Sequence, residues 1–266
     1  MRVTLKALRP HEFLTTYPCE GDTLAWYSFE HGLLDNGTYT NMVSAGTAAD
    51  FAGGTASFSA KVPGRELLDA DGTKIRDNAA SLAFAGGKVT YPRNSLIERQ
   101  DVTMEFFAKQ SSLSAGAGLV GVFRSPTGAA ADISVESAIW SVRVGADGKT
   151  PEVYVNNGTG QTVAFPAAAA LSSAWRHYAV SFRPDGNDTE VKLYVDGELA
   201  QTGAVSGLLQ LPATTGGAIP VLGSAGGATG TPFNGFIDEV RLTAGAIDAD
   251  DFLRVPSSGG LTIIFF

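Results

Sequence analysis

The sequence is poor in cysteine and in positive charge. Cys19 is the only cysteine among 266 residues, which excludes an intramolecular disulfide and a metal site built from several cysteines. Lys and Arg number 19 against 27 Asp and Glu, for a net charge of −8, and the basic residues are scattered. Nucleic-acid partners are therefore not expected, because proteins hold the phosphate backbone with clustered Lys and Arg.

Long apolar runs are also missing. No segment approaches the ~18 apolar residues that a membrane-spanning helix needs, so we expect no membrane span. Residues 1–9 lack the apolar core of a signal peptide, so the chain as written carries no export signal. A cytoplasmic protein, a shortened chain and one piece of a larger exported protein all fit this pattern.

The residues that are abundant favour short strands. The chain has 32 Gly, 12 Pro and 44% apolar but only 17% charged residues, which is typical of strands joined by glycine-rich turns. Residues 81–91 predict a hairpin or a bent strand pair around Gly86-Gly87, and Asp147-Gly148 predicts a hairpin. Asp196-Gly197 is the strongest hairpin signal, since type I′ turns need positive φ at both central residues.

These strands predict an all-β fold, a two-sheet antiparallel β-sandwich of the jelly-roll type. No repeat or linker divides the chain, so residues 1–266 are predicted to form one domain. Segment 31–80 shows little periodicity and is predicted to be loop-rich. Residues 2–8 and 261–266 are predicted to form neighbouring terminal strands.

A strand at residues 233–242 carries an unusual acid. Strict alternation places Phe236, Asp238, Val240 and Leu242 on one face, so that a carboxylate falls within an apolar row. Burying a carboxylate without a partner costs several kcal/mol. Asp238 is therefore expected to have a partner waiting for it.

Three kinds of partner for Asp238 stay open, namely backbone N–H groups, an arginine and a calcium ion. Calcium takes six to eight oxygen ligands. Glu30 and Asp35 are predicted to supply further oxygens if Ca²⁺ is bound beside Asp238. Calcium is the one cofactor that the sequence suggests.

A short helix is predicted close behind this strand, near the C-terminus. Asp248 has the position of an N-cap, and Ile247 and Phe252 have the two positions of a hydrophobic staple. Acidic residues in the first turn suit the helix dipole without any bound ion.

Paired catalytic carboxylates are not evident. A retaining glucanase needs two carboxylates about 5–5.5 Å apart on one face. Glu105 is alone on its predicted strand, and Asp238 and Glu239 are predicted to point to opposite faces. His177 is predicted to be an ordinary surface or edge histidine, so no nucleophilic triad is indicated. We therefore predict a protein without catalytic activity.

Aromatic side chains are the remaining ligand candidates, because they can stack on sugar rings. Trp26, Trp140 and Trp175 lie in predicted strands, where an aromatic residue more often belongs to the core. Tyr39 and Tyr91 lie near predicted loops. They are the better candidates for contacts with an exposed ligand.

Three motifs in order resemble a known family. Residues 175–182 (WRHYAVSF), 191–197 (VKLYVDG) and 235–242 (GFIDEVRL), followed by an acidic short helix, are similar to the laminin G-like jelly rolls of the concanavalin A-like lectin/glucanase superfamily. The resemblance covers roughly residues 23–254. It leaves the tails 1–22 and 255–266 unmatched, and segment 31–80 is longer than the family leads us to expect.

The resemblance implies an extracellular or cell-surface module that binds glycans or mediates adhesion, in some members with a bound calcium ion. We therefore expect a non-catalytic carbohydrate-binding or adhesion module whose partner is a glycan or surface polysaccharide. The alternative is a structural or protein-interaction domain of a larger surface protein. A glycoside hydrolase is the third hypothesis.

Overall fold

Short apolar stretches and tight turns form seventeen strands and single turns of 3₁₀ helix in the part of the chain that the structure describes. The computed structural model describes residues 23–30, 50–52, 55–69, 71–91, 93, 97–112, 115–127, 133–212, 217–226 and 231–256. The strands are β1 Thr23–Tyr27, β2 Asp50–Ala52, β3 Thr55–Ser59, β4 Glu66–Leu68, β5 Lys74–Asp77, β6 Ser81–Ala85, β7 Lys88–Thr90, β8 Val102–Gln110, β9 Gly118–Ser125, β10 Ala138–Val144, β11 Pro151–Asn156, β12 Gly160–Ala164, β13 Arg176–Asp185, β14 Asp188–Val195, β15 Glu198–Val205, β16 Gly217–Leu222 and β17 Asn234–Ala244.

The strands form two large antiparallel sheets. One has the order β15-β14-β13-β8-β17-β6-β3, with β1 paired to β17 beside β6, and the other has the order β12-β11-β10-β9-β16-β7-β2. Strands β4 and β5 form a separate two-stranded sheet. This architecture confirms the predicted β-sandwich.

The main core lies between the two large sheets. Trp140 of β10 stacks on Phe182 of β13 with ring centroids 5.3 Å apart, and Phe106 of β8 stacks on Tyr178 of β13 at 5.7 Å. All four side chains are fully buried. Burying an apolar side chain of this size contributes about 1.5–3 kcal/mol. The Trp140–Phe182 pair joins the two sheets, whereas Phe106 and Tyr178 are cross-strand neighbours within one sheet.

Two of the three predicted hairpins are confirmed. Asp196 and Gly197 join β14 to β15 with φ angles of 53° and 81°, as a type I′ turn requires, and Asp147-Gly148 lies between the paired strands β10 and β11. For residues 81–91 the hairpin is wrong, because β6 belongs to one sheet and β7 to the other, and the alternative of a bent strand pair is the one that the structure has. Gly86-Gly87 carries the chain between the sheets.

The outer face of the eight-stranded sheet has its own cover. Leu67 of β4, Ile75 of β5 and Leu253 pack on Trp26 and Phe107 of that sheet. The described part of segment 31–80 contains β2, β3, β4 and β5, so short strands interrupt the predicted loop region. This cover buries polar residues that would otherwise face solvent.

Strand β17 contains a β-bulge that strict alternation did not anticipate. Asp238 lies opposite Phe107 of β8, but the next residue of β17 to face a β8 partner is Arg241, opposite Glu105. Glu239 has a φ of 51°, a left-handed value that is uncommon for glutamate. Val240 and Leu242 point into the main core, whereas Asp238 faces the cover. The predicted apolar row around Asp238 is wrong for this reason.

The predicted C-terminal helix is a single 3₁₀ turn, Ala249–Asp251, and similar turns occur at Val135–Ser137 and Ala167–Ala169. Asp248 does not cap its turn; its carboxylate accepts a hydrogen bond from the Tyr194 hydroxyl at 3.1 Å. The predicted strands at 2–8 and 261–266 lie outside the described residues. Within the described ranges no helix is long and apolar enough to cross a membrane.

Candidate functional site

Two acids of β17 belong to a buried acid cluster, formed by Glu30, Arg76, Asn78, Asp238 and Glu239. Asp238 accepts hydrogen bonds from the Asn78 side chain at 3.0 Å and from the Glu239 backbone N–H at 2.9 Å. Glu239 accepts one from Trp26 Nε1 at 2.7 Å and a second from Arg76. The bulge therefore brings both carboxylates beneath the cover, and the prediction that they point to opposite faces is wrong.

The acid cluster holds more negative than positive charge, and this shifts its proton affinity. Burial raises the pKa of Glu239 to about 7, although Arg76 and Trp26 oppose the shift. Burial and the neighbouring charge of Glu239 raise the pKa of Asp238 well above its ordinary value. Both carboxylates are 0% exposed. A raised pKa suits a general acid, but a substrate cannot contact a group in this position.

The same cluster tests the calcium prediction. Glu30 accepts hydrogen bonds from the backbone N–H groups of Ala79 and Ala80 at 3.0–3.1 Å, and its carboxylate lies 3.5 Å from the Arg76 guanidinium. The oxygens of Asp238 and Glu239 are likewise occupied by N–H donors. Asn78 Oδ1 is buried without a donor, but a single oxygen is far from the six to eight that calcium takes.

These residues therefore do not fit a calcium ion while Arg76 is in place. Among the three candidate ligands, Asp35 lies outside the described residues. No group of three or more His, Cys, Asp or Glu side chains in the described part of the chain has the arrangement of a metal site. Calcium binding stays a prediction.

A second buried network is formed by Glu105 of β8, His177 of β13 and Arg241 of β17. Glu105 contacts Arg241, lies 2.9 Å from His177 Nε2 and accepts a hydrogen bond from the Leu253 backbone N–H at 2.8 Å. Burial alone would raise the pKa of Glu105, but Arg241 and His177 outweigh it and lower the pKa. His177 is only 5% exposed, so the prediction of a surface or edge histidine is wrong.

The outer face of the eight-stranded sheet is open next to these buried networks, two residues further along β8 and β17. Trp175 directly precedes β13, whose Arg176 pairs with Ala108, so Trp175 lies beside Lys109 of β8. Lys109 pairs with Phe236 of β17, and Phe236 pairs with Ala83 of β6. The Trp175 and Phe236 ring centroids are 6.2 Å apart. Trp175 and Phe236, which we call the aromatic row, are both only half-buried.

Grooves flank the aromatic row on two sides. On the Trp175 side lies a cleft of about 560 Å³, the Trp175 cleft, lined by Pro63, Phe107, Trp175, Arg176, His177, Asp196, Gly197 and residues 252–256. On the Phe236 side lies a shallower groove of about 490 Å³, floored by small residues such as Ser57 and Ala83. Trp175 lines the first of these grooves and Phe236 lines the second.

Polar groups at the rim of the Trp175 cleft are fixed in place. The Arg176 guanidinium donates two hydrogen bonds to Asp196 Oδ2, at 2.9 and 2.8 Å. The other oxygen of Asp196 accepts the His177 backbone N–H at 2.9 Å. The Asp196 side chain is nevertheless half exposed. The cleft therefore combines an aromatic wall with preorganised hydrogen-bonding groups.

The sequence candidates for ligand stacking are elsewhere. Tyr91 is 2% exposed and its ring lies on Tyr27 with centroids 3.7 Å apart, so the prediction that it is exposed is wrong. Tyr39 lies outside the described residues. Trp26 and Trp140 are core residues, as predicted, but Trp175 is not. Its position just before a strand, rather than within it, is the signal that could have separated it.

Comparison with known proteins identifies the family to which the chain belongs. A family model of the concanavalin A-like lectin/glucanases superfamily matches residues 84–251. The chain belongs to this superfamily. The match contains the aromatic row, β17 with its bulge, and Arg176 with Asp196. No curated protein sequence matches the chain.

Solved structures of the same fold share little sequence with this superfamily member. Domain 4 of AbnA, a GH43 extracellular arabinanase from Geobacillus stearothermophilus solved with arabinotriose, has a TM-score of 0.58 at 17% identity, over 87% of this chain and 96% of that one. A Trypanosoma rangeli sialidase solved with 2,3-difluorosialic acid has a TM-score of 0.55 at 13% identity, over 88% of this chain and 32% of the sialidase. The binding domain of botulinum neurotoxin DC in complex with SialylT has a TM-score of 0.51 at 13% identity, covering 86% and 49%.

Proposed function

We propose that this protein is a non-catalytic glycan-binding module and that the glycan binds in the Trp175 cleft. The observation that carries the proposal is the placement of Trp175, a half-buried indole in the wall of an open cleft, whereas Trp26 and Trp140 are buried in the two cores. An aromatic wall with a few fixed polar groups is the usual composition of a small-ligand site.

Each part of the cleft has a role in this proposal. The apolar face of a sugar ring lies on the Trp175 indole, and its hydroxyl groups bond to Arg176 and Asp196. These two side chains already hold each other, so little rotamer freedom is lost when the sugar binds. Charge-assisted hydrogen bonds of this kind are stronger than neutral ones and fix the orientation of the ligand.

The absence of catalysis is part of the proposal. Asp238 and Glu239 are neighbouring acids with raised pKa values, as a catalytic acid would need. Both are buried beneath β4 and β5, where a substrate cannot contact them. An extracellular or cell-surface location fits as well, since the related arabinanase is an extracellular protein. In this proposal the acid cluster has a structural role and contacts no ligand.

A glycan array tests the function directly. The array includes arabino-oligosaccharides, sialylated glycans and β-glucan oligosaccharides, and the best binder is titrated against Trp175→Ala and Tyr154→Ala. Tyr154 is a matched half-buried aromatic on the other sheet. We expect Trp175→Ala to weaken binding at least tenfold and Tyr154→Ala to leave it unchanged.

Two results would overturn the proposal. Binding of no glycan at all would favour the structural or protein-interaction hypothesis. Hydrolysis of any glycan in the panel, lost on Asp238→Asn, would favour the glycoside hydrolase.

A further inference from the structure

Two lysines lie over the aromatic row. The ammonium groups of Lys61 and Lys109 are 4.9 and 5.0 Å from the centroid of the Phe236 ring, and that of Lys109 is also 5.5 Å from the Trp175 ring. Attraction between a cation and an aromatic face stabilises each of these positions. Both positive charges therefore lie within about 5 Å of the same ring centroid.

Neither lysine has an acidic partner among the residues that the structure describes. Lys74, by contrast, lies within 3 Å of both Glu66 and Asp77. Lys61 and Lys109 form no ion pair with any carboxylate in the described ranges. The chain as a whole has a net charge of −8, so this pair is a local reversal of the surface charge. Its positive charge is available to a ligand.

The lysines also decide what the row can bind. A neutral sugar that stacks on Phe236 must displace ammonium groups from the ring face. An anionic group can instead bind beside the ammonium groups without breaking these contacts, and charge-assisted hydrogen bonds are stronger than neutral ones. The position of the pair between the Trp175 cleft and the second groove places this anion within a glycan chain.

We infer that the preferred ligand is an acidic oligosaccharide, with the carboxylate of one sugar bound by Lys61 and Lys109 while a neighbouring sugar lies on Trp175. This inference rests on the proposed glycan-binding function and specifies its ligand class. The overall negative charge of the protein disfavours long polyanions, so a short acidic segment is the fitting ligand.

A matched pair of ligands tests the inference. Oligogalacturonides and their methyl esters have the same length and ring shape and differ in the carboxylate charge, and sialyllactose with lactose gives a second such pair. We expect each acidic ligand to bind at least tenfold more tightly than its neutral partner at low ionic strength. Raising the salt concentration is expected to reduce this ratio, because exposed charges are screened.

Charge-removing variants locate the effect. In the double variant Lys61→Gln/Lys109→Gln the ratio of acidic to neutral affinity is expected to fall to about one, measured by titration calorimetry. Lys88→Gln, a half-exposed lysine on β7 of the other sheet, removes a charge elsewhere and is expected to keep the ratio. A sulfated oligosaccharide of the same length shows whether sulfate replaces the carboxylate.

The outcomes separate this inference from the function on which it rests. Equal binding of acidic and neutral ligands, or a preference that survives in the double variant, would overturn the acidic-ligand inference and leave glycan binding intact. If neither kind of ligand binds, the proposed function itself fails.

Discussion

Phe236 and Asp238 lie two residues apart on β17 and face the same side of the sheet, yet their environments are opposite. Phe236 belongs to the open aromatic row between two grooves. Asp238 is 0% exposed beneath the cover formed by β4, β5 and the segment around Leu253. The comparison teaches that the cover, rather than the sheet, decides which side chains can bind a ligand and which contribute only to stability.

The sealed region itself contains two unlike charge networks. Glu105 has the cation Arg241, a histidine and a backbone N–H as partners, and its pKa is lowered. The acid cluster sets Arg76 against three carboxylates, and the pKa values of Asp238 and Glu239 are raised. The Glu105 network thus favours the ionised carboxylate, whereas the acid cluster favours the protonated carboxyl groups.

The largest expected effect comes from Arg76. Arg76→Met leaves the buried carboxylates without a cation, and removing one partner of a buried ion pair costs about 3–5 kcal/mol. We expect a loss of this size in the free energy of unfolding, measured in urea. Arg183→Met is the control, since the pair of Arg183 with Glu190 is exposed and is worth about 1 kcal/mol or less. Equal losses in both variants would show that the buried ion pairs of Arg76 stabilise the fold no more than an exposed pair does.

The second effect is a pH dependence. The folded chain holds a proton on Glu239 up to about pH 7, whereas an ordinary glutamate loses it near 4.5. Between these values the folded state binds more protons than the unfolded state, so stability is expected to fall as the pH rises through this window. A shift of this size corresponds to on the order of 3 kcal/mol. Unfolding free energies at several pH values measure it.

Glu239→Gln is expected to reduce this fall, and the raised pKa of Asp238 accounts for the part that stays. Glu105 behaves in the opposite way, because its pKa is lowered: its stabilisation is present above the unfolded pKa and is lost in acid as the pH falls through the folded pKa. Glu105→Gln should therefore flatten the acid limb only. Identical pH profiles for the two variants would contradict the difference between the networks.

A matched pair on β17 separates binding from stability. Phe236→Ala is expected to weaken glycan binding about tenfold, or about 1.4 kcal/mol, because the lysines lose the ring that holds them. Asp238→Asn is expected to change the melting temperature and to leave the affinity of the folded protein unchanged. Calorimetric titration and thermal melting of both variants provide the test. A loss of affinity in Asp238→Asn would break the comparison.

The smallest expected effect is that of calcium. With Arg76 inside the acid cluster, neither a chelator nor added Ca²⁺ is expected to shift the melting temperature, because a ligand stabilises only the state that binds it. Arg76→Met is the informative variant, since its freed carboxylates could then respond to Ca²⁺. A calcium-dependent melting temperature in the unaltered protein would restore the metal site predicted from Glu30, Asp35 and Asp238.

The sequence predicts features that depend on local chemistry. Asp196-Gly197 specifies its turn through the φ angles that it needs, and Trp140 is in the core as its strand pattern indicates. The bulge at Glu239 could not be predicted in this way, because it is stabilised by Arg76 and Trp26, which are distant in sequence. The predicted alternation failed there.

The candidate site was less predictable than the fold. Lys109 and Phe236 come from two strands and Trp175 from the residue before a third, and they meet only through the register of the sheet. Tyr91 lies near a predicted loop and was therefore expected to be exposed. Its ring instead packs on Tyr27 of the other sheet and is buried. Which part of the outer face stays open depends on β4 and β5, whose pattern in segment 31–80 was too weak to identify.

The central claim is that glycans bind at Trp175, and its indole N–H resonance tests this most directly. The protein has three tryptophans, so a ¹⁵N-labelled sample gives three indole signals, and Trp175→Phe assigns the one of interest. On titration with the best glycan we expect the Trp175 signal to shift in a saturable manner while those of Trp26 and Trp140 stay in place. Saturable glycan binding that leaves the Trp175 signal unmoved would contradict the claim.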